Sequence, residues 1–278
     1  MITCNVMGGL GNQLFQIFTT ISYAIQNKRE FGFLYSDYVG IGKTIRRKTY
    51  WKTLLKYMQK YVYISLPGNM KYINEDNFHY HPLSISSELN ICLFGYFQSY
   101  KYFEKYSNLI IHLLKIEELK KDILKKNEYN KENLETTVTM HFRLGDYKFI
   151  SNAYPLLTFE YYDKCLTFLN KDDIKKVLYF CEEQDVEDVD IIINKLKTKY
   201  NLFDFVKVSN KLDDWEQLLL MSCCKYNIIA NSTFSWWGAY LNTNESKKVC
   251  YPDKWFGPKK NHLNTKDLFL STWCKISY

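Results

Sequence analysis

Short apolar segments alternate with amphipathic segments along almost the whole chain, and this alternation is the strongest constraint on its fold. The short apolar runs predict strands, and apolar residues at helical spacing predict helices between them. Such alternation favours parallel sheets covered by helices on both faces, an α/β fold. Strands are predicted at residues 2–6, 31–36, 91–97, 136–142, 176–181, 204–208, 226–230 and 248–251. Helices are predicted at residues 12–26, 101–126, 158–169, 186–199, 213–224 and 234–241.

The chain has 278 residues, which is comfortable for two domains with buried cores. The polar, charged stretch at 125–135 is the best candidate for a boundary. We therefore expect a first domain at residues 1–130 and a second at 131–257.

The first predicted strand runs into a glycine-rich loop, Met-Gly-Gly-Leu-Gly-Asn-Gln at residues 7–13, which opens a helix. Backbone N–H groups and the positive end of a helix dipole favour a phosphate at such a turn. The spacing excludes a dinucleotide fingerprint, because Leu14 stands where a third glycine is required. A tight turn that only needs glycine remains the alternative. The candidate residues are Gly9, Gly11, Asn12 and Gln13.

A second motif, residues 141–147, follows the predicted strand 136–142. Alternation along the strand places His141 and Arg143 on its polar face, at the end where α/β proteins bind ligands. The planar guanidinium of Arg143 suits a phosphate. The alternatives are a hydrogen-bonded core histidine and a structural salt bridge between Arg143 and Asp146.

A third motif, Asn-Ser-Thr-Phe-Ser-Trp-Trp-Gly at residues 231–238, follows the predicted strand 226–230 and begins a helix. One serine or threonine is enough to cap a helix. The additional hydroxyl and amide groups suit a phosphate held at the helix amino terminus. The candidate residues are Asn231, Ser232, Thr233, Phe234 and Ser235.

Together, the three motifs resemble the signature motifs of glycosyltransferase family 11, the α-1,2-fucosyltransferases, over residues 1–256. The resemblance implies a GT-B-type fold, with two Rossmann-like domains facing across a cleft. It implies that the first domain takes the acceptor and that residues 131–257 bind the nucleotide sugar. By the same likeness, the tail 258–278 is expected to pack back on the first domain.

The resemblance also implies an activity, which is inverting transfer of L-fucose from GDP-β-L-fucose to a sugar hydroxyl in α-1,2 linkage. Arg143 would stabilise the charge that develops on the departing GDP. Asp146 or His141 would accept the acceptor's proton, although Asp146 could instead orient Arg143, and His141 could hold guanine or ribose. The donor would be bound by Gly9, Gly11, Asn12, Gln13, Glu216, Asn231, Ser232, Thr233, Phe234 and Ser235.

Two departures from the family pattern keep another donor sugar or another linkage open. Leu144 stands where the family has a second arginine, and Gln217 replaces one residue of an acidic pair that begins with Glu216. A noncatalytic carbohydrate-binding module is a further alternative, because 17% of residues are aromatic and Trp236 adjoins Trp237. Phosphate-suited loops argue against it, since a lectin has no need for them.

Composition favours a soluble, cytoplasmic enzyme, because no long apolar run and no signal-peptide pattern is present. This differs from the membrane-anchored animal members of the family that the chain resembles, so the resemblance implies a microbial or viral origin. The eight cysteines are expected to be reduced thiols. The net charge of +7 suits an anionic nucleotide donor and does not require nucleic acid. The Asp-x-Asp sequence at 188–190 is expected to be a helix start favoured by the dipole, so we expect no metal and no cofactor.

Overall fold

The computed structural model describes residues 1–40, 46–129, 131–169 and 173–278, with no side-chain description for 131 and 132. Contacts divide the chain into two compact units. Unit 1 comprises Met1–Leu119 and Leu263–Leu270, and unit 2 comprises Lys120–His262 and Ser271–Tyr278.

The described residues contain the following strands and helices, numbered in the order of the chain. The strands are β1 Ile2–Cys4, β2 Phe33–Leu34, β3 Tyr38–Val39, β4 Arg47–Lys48, β5 Val62–Tyr63, β6 Lys71–Asn74, β7 Ile91–Phe94, β8 Thr137–His141, β9 Lys176–Phe180, β10 Asp204–Lys207, β11 Tyr226–Ile228, β12 Lys248–Pro252 and β13 Cys274–Ile276. The α-helices are α1 Leu10–Gln26, α2 Ser107–Leu113, α3 Ile116–Lys126, α4 Lys131–Leu134, α5 Phe159–Leu169, α6 Val186–Lys199, α7 Asp214–Met221 and α8 Thr233–Tyr240. Short 3-10 helices lie at Lys56–Tyr61, Tyr100–Tyr102, Glu104–Tyr106, Gly145–Phe149, Glu183–Asp185 and Pro258–Lys260.

Unit 2 is built on a six-stranded sheet in the order β10-β9-β8-β11-β12-β13, with every neighbouring pair parallel. Numbered within the unit, this order is 3-2-1-4-5-6, the strand order of a Rossmann fold. The order reverses between β8 and β11. In such sheets, ligands bind outside the carboxyl ends of the strands at this reversal.

The core of unit 2 consists of apolar side chains from the sheet and its covering helices. All five residues of β8 are buried, as expected for a central parallel strand. Trp236 and Trp237 are fully buried, so this pair belongs to the core and offers no exposed platform for a sugar. α8 lies close against α7, and Gly238 allows this approach because a Cβ there would lie 2.8 Å from the Met221 Cβ.

Unit 1 contains a three-stranded parallel sheet in the order β1-β7-β6. A parallel bridge from Ile2 to Phe31 joins β1 to the chain that enters β2, and β2 pairs in parallel with β5. β3 and β4 form a small antiparallel hairpin. α1 follows β1 directly and is buried over most of its length.

Some predicted elements are longer than the observed ones, and some observed strands were not predicted. The predicted helix at 101–126 consists of two 3-10 turns, α2 and α3, with Lys115 in the left-handed region (φ 53°) between the two α-helices. β6 has no predicted counterpart because its side chains are mostly exposed and give no apolar run. β13, the edge strand of unit 2, is too short to leave a sequence pattern.

The structural division falls within α3, whereas the sequence places the boundary after residue 130. The second half of α3 is fixed in unit 2 by two lysines. Lys120 donates to the Leu241 carbonyl at 2.6 Å, and Lys126 pairs with Glu216 at 2.8 Å. The tail, which we expect on the first domain, is divided as well. Residues 263–270 belong to unit 1, while β13 extends the sheet of unit 2.

Within the described ranges, no helix is both long enough and apolar enough to cross a membrane.

Packing of α8 on α7 gives a test of the unit 2 core. We expect Gly238→Val to lower the free energy of unfolding by about 2–3 kcal/mol, because the added atoms meet Met221 in a packed interior. Urea unfolding followed by circular dichroism measures the effect. Gly68→Val is the matched control, since a Cβ at Gly68 meets no atom within 4 Å. Equal stability of the two variants would contradict this account of the interface.

Candidate active site

The second and third sequence motifs meet at the strand reversal of unit 2. β8 ends at His141 and pairs with β11, whose chain continues into Asn231 and α8. The His141 ring lies 5.4 Å from the Phe234 ring, and the Tyr147 hydroxyl donates to the Asn231 carbonyl at 3.2 Å. Motifs 90 residues apart in the chain are therefore brought to one edge of the sheet, at the position where Rossmann folds bind ligands.

Arg143 lies just beyond β8 and is held by two carboxylates. Its guanidinium donates to Asp146 and to Glu182, and it lies over the Tyr147 ring at 4.9 Å. Its side chain is 17% exposed, so the guanidinium is largely shielded but still reaches the surface. The salt bridge to Asp146 that the sequence left open as an alternative is therefore present. Asp146 orients Arg143 in this structure.

The turn that carries Arg143 is fastened to the start of α6. The Gly145 N–H donates to the buried Asp185 carboxylate at 2.7 Å. Lys148 pairs with Asp185 at 2.8 Å and with Asp188 at 2.6 Å. Sequence reasoning did not find Asp185, Lys148 or Glu182 as supports, and only the position of residues 181–185 after a predicted strand could have indicated them.

The same contacts explain the Asp-x-Asp sequence at the start of α6. Asp188 forms a salt bridge with Lys148, and Val189 between the two aspartates is fully buried. Within the residues that the structure describes, no group of three or more His, Cys, Asp or Glu side chains is placed to hold a metal ion.

His141 is buried, and its environment argues against the role of proton acceptor that the sequence left open for it. Burial, with the nearby charge of Arg143, lowers the pKa of His141 to about 3. The imidazole is therefore neutral at physiological pH and is a weak base. Its Nδ1 is buried with no hydrogen-bond partner among the described residues. These properties suit a neutral hydrogen-bonding group better than a proton acceptor.

The third motif combines helix capping with buried polar contacts. Ser232 is the N-cap of α8 and accepts from the Phe234 N–H at 3.3 Å, so the capping alternative is correct for this residue. Ser235 is buried and donates to backbone carbonyls of the same turn. Asn231 donates to the Pro155 carbonyl at 2.9 Å, while its Oδ1 is buried without a partner in the described chain. Thr233 is partly exposed in the first turn of α8.

Glu216 has a structural environment that the sequence did not indicate. It forms a capping box at the start of α7, where its carboxylate accepts from the Asp213 N–H at 2.9 Å. Its other carboxylate oxygen accepts from Lys126 at 2.8 Å. Both oxygens thus hold protein groups, which explains this buried carboxylate without a nucleotide base.

The glycine loop of unit 1 has the strand-to-helix geometry that the sequence predicts. Gly8 has a φ of 79°, and a Cβ there would lie 2.7 Å from the Asn12 Nδ2, so this position requires glycine. Gly9 is the N-cap of α1, and a Cβ there would meet nothing within 4 Å. The helix begins at Leu10, which places Gly11, Asn12 and Gln13 in its first turn.

Side-chain amides in this loop hold its own backbone, which changes the expected role of Gln13. The buried Gln13 amide donates to the carbonyls of Gly8 and Lys48, each at 2.9 Å. Gln16, which sequence reasoning did not select, both accepts from and donates to the Met7 backbone. Gln98 donates to the Asn12 side chain at 3.1 Å. The donors of Gln13 therefore shape the loop, and the amino terminus of α1 remains the part suited to an anion.

Comparison with known proteins identifies the class. Residues 1–277 match the family described as Glycosyl transferase family 11, so the chain belongs to that family. The sequence resemblance is thereby confirmed. The predicted fold class is confirmed as well, since the chain has two α/β units with parallel sheets.

Individual relatives include two from Escherichia coli. The O-antigen biosynthesis glycosyltransferase WbnK is 33% identical over 65% of this chain and 60% of its own length. An alpha-1,2-colitosyltransferase is 32% identical over 50% of this chain and 47% of its own length. These two matches therefore span about half to three fifths of the relatives. A galactoside 2-alpha-L-fucosyltransferase of Caenorhabditis elegans is 28% identical over 99% of this chain and 79% of its own length.

The lowered pKa of His141 predicts a pH dependence of stability. Between pH 3 and about 6.5 the unfolded chain binds a proton at this site and the folded chain does not, so stability falls as pH falls. Wild type should lose about 2 kcal/mol more than His141→Gln between pH 7 and pH 5. Urea unfolding at both pH values measures this difference. An identical pH dependence in the two proteins would show that the pKa of His141 in the folded protein is close to its value in the unfolded chain.

Proposed function

We propose that this family 11 glycosyltransferase moves L-fucose from GDP-β-L-fucose to a sugar hydroxyl in α-1,2 linkage, with inversion. The observation that carries the proposal is the meeting of the second and third motifs at the strand reversal of unit 2, through the His141 and Phe234 rings and the hydrogen bond from Tyr147 to the Asn231 carbonyl. The fucosyl donor and the linkage follow the name of the Caenorhabditis elegans relative.

The proposed reaction at this edge of the sheet depends on stabilising the negative charge of the leaving group. Departure of GDP builds negative charge on its β-phosphate, and donors fixed in advance stabilise that charge more than they stabilise the bound donor. Arg143 meets this requirement because Asp146 and Glu182 already hold its guanidinium. The first turn of α8 adds backbone N–H groups and the helix dipole.

The neighbouring polar groups have separate tasks in this proposal. Asp146 acts chiefly through Arg143, because it is already bound to the guanidinium. His141 and Asn231 each have a buried polar atom without a partner in the described chain, and both flank the strand reversal. They offer neutral hydrogen bonds to the donor nucleotide. In this arrangement, departure of GDP precedes deprotonation of the acceptor hydroxyl: the C–O bond to GDP breaks, the bond to the acceptor oxygen forms, and the acceptor's proton passes to a β-phosphate oxygen of the departing GDP.

A colitosyl donor is the second candidate, because one relative is an alpha-1,2-colitosyltransferase. Colitose is fucose without the 3-hydroxyl, so the same nucleotide site would serve both sugars. Discrimination between them depends on a contact to that one hydroxyl. The site residues described above do not separate the two donors.

The donor is tested by calorimetric titration in EDTA with GDP-fucose, GDP-colitose, GDP-mannose and UDP-galactose. We expect GDP-fucose and GDP to bind and UDP-galactose not to bind. Transfer to galactose-terminated oligosaccharides, with linkage determined by NMR, then tests the product. Preferential binding and transfer of colitose would establish the second candidate, and binding of UDP-galactose alone would overturn both.

Arg143 gives the sharpest test of the mechanism. Arg143→Ala should lower kcat by about two to three orders of magnitude, since one such donor commonly contributes about 3 kcal/mol to the barrier. Arg143→Lys should recover little, because an ammonium lacks the planar fork. Initial rates with GDP-fucose measure both, after circular dichroism shows that each variant is folded. Exposed Lys211→Ala is the control, and a rate for Arg143→Ala within a few fold of that control would remove Arg143 from the mechanism.

A further inference from the structure

Unit 1 has a segment of strongly unbalanced charge. Residues 38–74 contain eight Lys and Arg and no Asp or Glu, while the whole chain has a net charge of only +7. One of the eight, Lys43, lies outside the described residues. By contrast, the lysines of α3 are interleaved with acidic side chains. The positive charge of the chain is thus concentrated in one segment of unit 1.

Exposed tyrosines and cations lie close together at the start of this segment and just before it. Tyr38 pairs with Lys48 across the β3–β4 hairpin, and the Arg46 guanidinium lies over the Tyr38 ring at 4.0 Å. Lys52 lies over the Tyr35 ring at 5.4 Å. The Thr49 N–H donates to the Asp37 carbonyl, which joins the hairpin to the Tyr35 and Lys52 pair.

Exposed apolar side chains lie nearby, at the carboxyl ends of β2 and β5. Leu34 pairs with Tyr63, and the Tyr35 N–H donates to the Tyr63 carbonyl at 2.8 Å. Leu34 is 50% exposed and Ile64 is 94% exposed. The basic aromatic surface is defined here as Tyr35, Tyr38, Arg46, Lys48, Lys52 and Ile64, all of which are exposed.

We propose that the basic aromatic surface binds the surface of an anionic lipid bilayer and holds the enzyme there as a peripheral protein. Cations near such a surface each contribute about 1 kcal/mol of attraction. Tyrosine rings favour the boundary between headgroups and acyl chains, and an exposed isoleucine gains by entering it. A soluble anion would account for the cations but not for Ile64.

The geometry also favours a bilayer over a sugar chain. Sugar hydroxyls need hydrogen-bonding carboxylates and amides, and the one carboxylate here, Asp37, is already bound to Tyr35 and Lys52. Cations stacked on exposed rings are instead amphipathic units, with the charge and the ring presented together.

Vesicle binding tests the proposal without any need for catalytic activity. Purified protein is sedimented with vesicles of phosphatidylcholine alone and with vesicles that contain about 30% phosphatidylglycerol, the anionic fraction needed for a negative surface potential. We expect binding only to the anionic vesicles, weakening as salt rises from low to physiological concentration.

Matched variants locate the binding. Lys48→Glu with Lys52→Glu should lower the partition coefficient at least about tenfold, because two attractive charges become repulsive. Lys195→Glu with Lys197→Glu makes the same change in net charge at exposed positions of α6 and should leave binding within about twofold. Ile64→Ser should weaken binding at constant charge.

Absence of binding to anionic vesicles, or equal losses in the two charge-reversal variants, would overturn the proposal. Unchanged vesicle binding with a raised KM for a soluble acceptor in Lys48→Glu with Lys52→Glu would assign this surface to the acceptor instead. Failure of fucosyl transfer would not affect the vesicle result, so the two proposals can fail separately.

Discussion

The parallel pairing of β8 with β11 is the constraint on which the candidate site depends. These strands are neighbours in the sheet although three α-helices and two strands, α5 to α7 with β9 and β10, separate them in the chain. The strands that follow β8 in the chain are added on one side of it up to β10 and then on its other side from β11, and ligands of such sheets bind at the carboxyl ends where the order reverses. His141 and Asn231 consequently face one region, and Arg143 follows two residues after the end of β8. A shift of either strand would separate the two motifs.

Sequence reasoning predicted the fold well where elements are buried on both faces. β9 belongs to a short apolar run and β8 alternates apolar with polar residues, and the predicted positions of β8, β9 and β11 agree with the structure to within two residues at either end. β6 and the helical region from 100 to 126 were not predicted well. The first is an exposed edge strand, and the second is broken where Lys115 adopts a left-handed conformation, which no apolar pattern signals.

For the site residues, the sequence indicated the positions but not the contacts of the side chains. Their membership of three motifs was readable in the sequence, but the partner of each side chain depends on distant segments. The Gln13 amide donates to the Lys48 carbonyl, and the Glu216 carboxylate accepts from Lys126. Both side chains therefore stabilise the fold. The low pKa of His141 likewise arises from burial by surrounding elements, which residue spacing alone does not reveal.

Electrostatics explain why Arg143 needs so many acidic neighbours. A largely shielded guanidinium without partners would be costly, and Asp146 and Glu182 offset that cost in the absence of substrate. Both carboxylates are themselves more exposed than Arg143, at 38% and 49%, so water screens them more strongly. The contacts of Asp185 with Gly145 and Lys148 hold the turn that carries Arg143 against the start of α6. The orientation of the guanidinium is therefore fixed twice, by its own carboxylates and by the turn from which it extends.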